Sequence, residues 1–132
     1  MRGMVKSRRV ILLVLAAVMA VGICAPNVAP GSQPKLAQVV YITLSKACGC
    51  ALTACQAGDI VVENVFKGAR KALLKRVDYS TNKEAAKVYI KKYRLTQAPV
   101  LLFLDAKGNL LWTKAVDLDE KEIADQLSQF GG

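Results

Sequence analysis

Three cysteines lie close together in the sequence, at Cys48, Cys50 and Cys55, and the fourth, Cys24, lies well before them. Thiolates are nucleophiles, redox groups and ligands for soft metal ions. A structural disulfide stabilises a protein mainly by joining distant parts of the chain, which a local cluster does poorly. The spacing therefore indicates a chemical site rather than a structural crosslink.

The spacing leaves open which sulfurs pair. In a helix starting near Cys50, Cys50 and Cys55 are about 140° apart around the axis and ~7.5 Å apart along it, too far for a disulfide. If the capping box Thr53-Ala-Cys-Gln56 marks the helix start instead, Cys55 lies in the first turn. That register permits a Cys48–Cys55 or Cys50–Cys55 bridge, or all three sulfurs around one ion. A Cys48–Cys50 bridge would close a very small, strained ring.

The elements on either side must position these cysteines. The preceding segment Val39–Leu44 is rich in β-branched and aromatic residues, which predicts a buried strand. After the cysteine loop, apolar residues recur at helical spacing from Ala54 to Val65, and Gly68 is expected to end that helix. The cysteines thus lie between a first strand and a first helix.

The rest of the chain alternates strands and helices. A second strand, a helix opened by a capping box, a hairpin of two strands around a turn, and a final helix are predicted at Leu73–Tyr79, Thr81–Tyr93, Val100–Leu104 with Leu110–Val116, and Asp119–Phe130. The predicted order is β-α-β-α-β-β-α, an α/β protein.

This order, with a cysteine loop after the first strand, resembles the thioredoxin superfamily over roughly Ala37–Phe130. The most specific carriers are Lys92-Tyr-Arg-Leu-Thr-Gln-Ala-Pro-Val-Leu-Leu-Phe-Leu104 and the following hairpin Asp105-Ala-Lys-Gly-Asn-Leu-Leu-Trp112. The resemblance implies a thioredoxin-like fold with a central mixed four-stranded sheet and flanking helices. It also implies a cis bond between Ala98 and Pro99, two substrate-binding residues beside the cysteines, and Cys48 as the attacking nucleophile.

The sequence departs from the superfamily pattern at three positions. The pattern is Cys-x-x-Cys, but Ala51 stands at the second position and Cys50 lies one residue early. Ile42 stands where the superfamily has a buried acidic residue, and Ala47 stands where an aromatic residue usually precedes the first cysteine. Lys46 and Arg76 are candidate sources of positive charge near the site.

The N-terminus has the pattern of a targeting segment. Four cations precede the apolar run Val10–Ile23, as in a secretory signal peptide, although the run is short for a permanent membrane span. We expect residues 1–25 to be a signal peptide or N-terminal membrane anchor, residues 26–36 a linker, and residues 37–132 the folded domain. The domain is then exported to the periplasm or another extracytoplasmic space, and it is anchored by residues 10–25 if the segment is uncleaved.

The formal net charge of the chain is +9. Removing the four N-terminal cations leaves 15 basic against 10 acidic residues, a net charge of +5. These charges are expected to be dispersed over solvated helical faces, so we expect no nucleic-acid partner.

Two functions from different classes follow. The first is an extracytoplasmic thiol–disulfide oxidoreductase that acts on protein or small-molecule thiols and disulfides through Cys48, Cys50 and Cys55, without a cofactor. The alternative is a soft-metal or metalloid protein that binds or delivers Cu(I), Hg(II) or As(III) on the same three thiolates. An inert local disulfide beside a free thiol is the third interpretation.

Overall fold

A computed structural model describes residues 31–132 of the chain. The predicted signal peptide or anchor and the first part of the linker lie outside these residues. Gln33–Gly132 form one compact unit. Within the described part of the chain, no helix combines the length and apolar character needed to cross a membrane.

The described residues form four strands, three α-helices and a short 3-10 helix. In chain order these are β1 (Gln38–Thr43), α1 (Gly49–Val65), the 3-10 helix (Gly68–Leu73), β2 (Leu74–Asp78), α2 (Lys83–Tyr93), β3 (Val100–Leu104), β4 (Leu110–Ala115) and α3 (Glu120–Phe130). The strands lie in the order β2-β1-β3-β4, with β1 parallel to β2 and every other pair antiparallel. The predicted element order and the mixed four-stranded sheet are confirmed.

The central strands β1 and β3 are buried on both faces. Their successive side chains point to opposite sides of the sheet, and helices cover each side. Alternate residues of β1 and β3 pack with α1 and α3 in one core cluster, which contains Val39, Tyr41, Val62, Phe103 and Leu127. The intervening residues pack with α2 in a second cluster, which contains Val40, Ile42, Ala86 and Leu102. The central strands β1 and β3 therefore hold the two layers of helices together.

Of the two helix starts that the sequence left open, the one near Cys50 is confirmed and the capping-box start at Thr53 is wrong. The helix begins at Gly49 with Cys48 as its N-cap residue, and Thr53 lies in the second turn. The Thr53 hydroxyl donates to the Gly49 carbonyl at 2.9 Å, so it serves the helix interior rather than its end. The helix also ends at Val65, three residues before Gly68. Gly68 has a positive φ of 59° and is the first residue of the 3-10 helix.

The start of α2 also differs from its predicted capping box. Asn82 rather than Thr81 is the N-cap residue, because its side chain accepts a hydrogen bond from the Ala85 amide at 3.2 Å. The last helix follows its prediction, with Asp119 accepting from the Glu122 amide at 2.8 Å. Capping chemistry thus locates these ends to within one residue.

The packed domain begins at Leu36, the last residue of the predicted linker. Leu36 is buried in the cluster shared with α1 and α3, and its amide donates to the Phe130 carbonyl at 3.0 Å. This contact ties the start of the domain to the end of α3.

Candidate functional site

Cys48 occupies the N-cap position of α1 and is exposed to solvent. Its φ and ψ of −63° and 156° are extended, so the chain turns from the loop into the helix at this residue. The unpaired amides at a helix N-terminus stabilise a nearby negative charge, including that of a thiolate. Cys48 therefore combines access to solvent with the position that favours a nucleophilic sulfur.

The loop before Cys48 is held by the turn that follows β2. The Ser45 amide donates to Asp78 Oδ1 at 3.2 Å, and the Lys46 amide donates to Ser80 Oγ at 3.0 Å. The Ser80 hydroxyl in turn donates to the Lys46 carbonyl at 3.1 Å. Burial alone would raise the pKa of Asp78, but hydrogen bonds from Ser45 and Ser80 outweigh it and lower that pKa. The carboxylate is therefore ionised at neutral pH, when it fixes the loop.

The helix start decides which sulfurs can pair. Cys50 and Cys55 both lie within α1, so their five-residue spacing holds them beyond disulfide distance. Cys48 lies seven positions before Cys55, about 10 Å along the same axis. Cys50 is exposed in the first turn, whereas Cys55 is 1% exposed. The bridges to Cys55 are thus not supported, and Cys48–Cys50 is the remaining pair.

The three thiols also do not converge on a common point. Among residues 31–132 no group of three potential metal-ligating side chains is placed to hold one ion. Cys55 faces the core while Cys48 and Cys50 face solvent. The geometry therefore gives the soft-metal alternative no support.

A polar network extends from Tyr41, beside Cys55, to the surface. Asp59 lies one turn after Cys55 on α1, and its Oδ1 accepts from the Tyr41 hydroxyl at 2.8 Å and from Thr43 Oγ1 at 3.3 Å. Arg76 donates to Asp59 Oδ2 at 2.7 Å. Burial, reinforced by the Asp59 carboxylate, raises the pKa of Tyr41 well above its usual value. Arg76, a candidate for positive charge at the site, thus neutralises Asp59.

Sequence reasoning missed this network. By the resemblance, an acidic residue would lie on β1 near Ile42. In the structure the acidic residue is Asp59 of α1, which bonds to Tyr41 of β1. A signal was present in the spacing, since Cys55 and Asp59 are four residues apart and share a helix face. Tyr41 and Thr43 likewise alternate onto one face of β1.

Pro99 lies against α1, and the Ala98–Pro99 peptide bond is cis, as the resemblance implied. A Cβ added at Gly58 would lie 2.9 Å from Pro99 Cγ and 2.8 Å from the Tyr41 hydroxyl oxygen. Only glycine permits this close approach between helix and loop. The Pro99 carbonyl accepts from the Val116 amide at 2.8 Å, which ties the loop to the end of β4.

Ala98 offers free backbone groups beside a cavity. Within residues 31–132 neither its amide nor its carbonyl has a hydrogen-bond partner. A cavity of about 250 Å³ lies next to it, at the end of β1. Its lining is mostly apolar and consists of Ile42, Leu44, Tyr79, Ile90, Leu95, Thr96, Gln97, Ala98 and Val100. One lining residue, Leu44, directly precedes the loop that carries Cys48.

The chain is similar to known proteins in its structure, and no match was found from its sequence. No family model matches the sequence, and no curated protein matches it. The oxidised C-terminal domain of DsbD from Neisseria meningitidis is similar in structure, with a TM-score of 0.55 at 13% identity, covering 73% of this chain and 80% of that chain. Its reduced form has a TM-score of 0.53 at 13% identity and covers 74% and 84%.

A thioredoxin-like protein from Clostridium perfringens is similar over a longer stretch. Its TM-score is 0.56 at 15% identity, and the match covers 86% of this chain and 91% of that chain. At such identities the likeness concerns the fold, and it agrees with the mixed sheet and flanking helices described above. The chain therefore has a thioredoxin-like fold, as its sequence predicted.

Proposed function

We propose that the chain is an extracytoplasmic thiol–disulfide oxidoreductase in which Cys48 is the attacking thiol. The observation that carries the proposal is the exposed Cys48 at the N-cap of α1, at the junction of the first strand and first helix of a thioredoxin-like fold. Exposure, a helix N-terminus and a nearby second thiol are the features that make a cysteine reactive. Cys50 supplies that second thiol.

Cys48 and Cys50 together account for the bonds and electrons of the exchange. The Cys48 thiolate attacks a substrate disulfide, forms a mixed disulfide and releases one substrate thiolate. The Cys50 thiolate then attacks Cys48 Sγ, which releases the second substrate thiolate and closes a Cys48–Cys50 bridge. The substrate gains two electrons and the protein loses two, and an external dithiol reduces the bridge again. Because the small ring is strained, the same steps in reverse oxidise a dithiol substrate.

Substrate binding is assigned to Ala98 and Pro99. The unpaired amide and carbonyl of Ala98 suit an extended peptide, which would satisfy both groups by pairing as an added strand does. Pro99 lies against α1, the helix that begins with the reactive cysteine. The substrates would be proteins or small molecules that carry thiols or disulfides. The targeting segment supports action outside the cytoplasm, where disulfides persist.

The direct test measures reduction of a model protein disulfide by full-length protein in a Cys24→Ser background, so that three thiols remain. Cys48→Ser is expected to lower the rate by about 100-fold or more, because it removes the nucleophile. Cys50→Ser is expected to leave a trapped mixed disulfide on Cys48, visible as an added mass in denaturing gels or mass spectra.

Cys55→Ala is the matched control, since it removes a cysteine of the same helix that solvent does not reach. It is expected to retain the rate within about threefold once folding is verified by circular dichroism. Full activity of Cys48→Ser would refute the assignment of the nucleophile. Equal losses in the Cys48 and Cys55 variants would show that the exchange does not follow the exposed pair.

A further inference from the structure

The charges of the domain are distributed unevenly along the chain. Residues 67–94 carry ten Lys and Arg and only two acidic residues, whereas residues 100–132 carry three basic and six acidic residues. The first group comprises the 3-10 helix, the edge strand β2 and α2, and the second comprises the β3–β4 hairpin and α3. The basic residues are therefore concentrated in one stretch of the chain, residues 67–94.

Most of these cations have no acidic partner. Within the part of the chain that the structure describes, Arg76 pairs with Asp59 and Glu63, and Lys87 pairs with Glu84. The other eight basic residues of 67–94 form no ion pair among residues 31–132. Two of the three lysines of residues 100–132, in contrast, are paired with carboxylates. The unpaired charges are available to an external anion.

The exposed side of α2 gathers these charges on one surface. Ala86 faces the core, while Lys83, Lys87 and Lys91 recur every four residues on the solvent side. Lys75 of β2 lies over the Tyr89 ring, at 5.5 Å from its centroid, on the other flank of α2, which packs towards β2. We call the solvent side of α2 the basic face. It consists of Lys83, Lys87 and Lys91, of which Lys87 is also paired with the exposed Glu84.

The character of the basic face favours a lipid surface over a nucleic acid. Proteins that bind single strands offer exposed aromatic rings to the bases. Here Tyr79, Tyr89 and Tyr93 are partly buried against the core, and a lysine lies over each ring. The apolar residue exposed among the lysines is Val88, at 63% exposure, which suits the boundary between headgroups and acyl chains.

The sequence before the domain points to the same partner. The predicted targeting segment directs the chain to a membrane, and the predicted linker of residues 26–36 spans at most about 40 Å when fully extended. A retained segment would hold the domain near the bilayer, where a few unpaired lysines are drawn to anionic lipids within a Debye length of about 10 Å.

We propose that the basic face binds the headgroups of an anionic bilayer and lays α2 along the membrane surface. This inference goes beyond the proposed function and does not depend on thiol exchange. It would leave the N-terminus of α1, with Cys48, to be reached by substrates while the domain rests on the membrane.

The test is lysine acetylation of the full-length protein, followed by mass spectrometry of each site. The protein is labelled with vesicles of phosphatidylcholine alone and with vesicles in which about one quarter of the lipid is phosphatidylglycerol. Anionic vesicles are expected to slow labelling of Lys83, Lys87 and Lys91 by about tenfold and to leave Lys107 and Lys121 unchanged. Equal protection by neutral vesicles, or protection of Lys107 and Lys121 instead, would overturn the proposal.

Two triple variants distinguish binding through the basic face from attraction caused by net charge alone. Replacing Lys83, Lys87 and Lys91 by Gln is expected to lower the preference of the protein for anionic over neutral vesicles about 100-fold. Replacing Lys107, Lys114 and Lys121 by Gln changes the net charge equally and is expected to retain it. Equal loss in both variants would refute a specific surface. Protection by duplex DNA but not by anionic vesicles would assign the surface to nucleic acid and overturn the proposal.

Discussion

Cys48 and Cys55 show how one residue type takes opposite chemical roles within eight residues. Cys48 is an exposed N-cap residue, whereas Cys55 is 1% exposed on the inner face of the same helix. A buried thiol behaves as a small apolar side chain, so packing accounts for Cys55 without any reaction. The three-cysteine cluster that the sequence presents is therefore one exposed pair and one core residue.

The Tyr41 hydroxyl links the sheet to α1 and is the most buried titratable group next to the site. It donates to Asp59 Oδ1 at 2.8 Å and lies 3.3 Å from the Cys55 carbonyl oxygen. Since burial raises its pKa above the usual 10.0, the folded protein keeps the phenol proton at a pH where the unfolded chain loses it. Tyr41 thus stabilises the fold fully below about pH 10 and less as the pH rises above it.

Tyr41→Phe is expected to lower the free energy of unfolding by about 1 kcal/mol at pH 7, because Asp59 loses one hydrogen-bond donor. Above pH 10 the wild-type advantage should shrink by up to about 1.4 kcal/mol per pH unit, since the variant has no phenol to ionise at this position. Urea unfolding of both proteins at pH 7, 10 and 11 measures the difference, in which shared titrations cancel. A difference that stays constant from pH 7 to 11 would contradict the buried phenol.

At the scale of elements, pattern and propensity were sufficient for most of the fold. The strands β1 and β3 are runs of β-branched and large apolar residues, and α2 repeats its apolar residues at helical spacing. For the start of α1 the sequence left two registers open, and the one near Cys50 is observed although Thr53 and Gln56 satisfy a local capping rule. A helix that already begins at Cys48 needs no second cap, and Thr53 instead bonds to Gly49.

Gly58 shows why the packing of an element cannot be read from its own sequence. A glycine inside a helix costs about 1 kcal/mol relative to alanine, so its presence in α1 looks unfavourable. Its reason lies in residues that are distant along the chain, since Tyr41 and Pro99 occupy the space that a Cβ would need. The short residue lets α1 approach the loop that is expected to bind substrate.

Gly58→Ala is expected to destabilise the protein by about 1–2 kcal/mol, because overpacking outweighs the gain in helix propensity. It should also slow disulfide reduction by moving Pro99 away from α1. Gly49→Ala is the matched control in the same helix, since a Cβ there meets no atom within 4 Å. Urea unfolding of both variants provides the measurement. A stabilised Gly58 variant would contradict the close approach of Pro99 and Tyr41.

At the scale of the whole molecule, the sequence predicted the fold better than the site. Element order and the mixed sheet follow from local patterns together with the thioredoxin resemblance. The Asp59 network depends on which side chains meet after folding, because Tyr41, Asp59 and Arg76 are distant along the chain. The basic face differs, since the four-residue spacing of Lys83, Lys87 and Lys91 already indicates one side of a helix and the structure shows that this side is exposed to solvent.

The start of the domain is a second property of the whole molecule, since it depends on contacts between the two ends of the folded unit. Leu36 is 5% exposed and packs in the cluster that contains Ile123 and Leu127 of α3, and its amide bonds to the Phe130 carbonyl. A linker residue would make no such contacts. The folded unit therefore closes its N-terminus onto its last helix.

Leu36→Ala is expected to lower the free energy of unfolding by about 2–4 kcal/mol, because it removes a buried aliphatic side chain and leaves a cavity beside α3. Lys35→Ala, its exposed neighbour, should change stability by less than about 0.5 kcal/mol. Urea unfolding of the full-length variants, followed by tryptophan fluorescence, compares the two. Trp112 packs against the same cluster and can report its loss. Equal effects of the two substitutions would place the start of the packed domain after Leu36, because a residue outside the core contributes no more than its exposed neighbour.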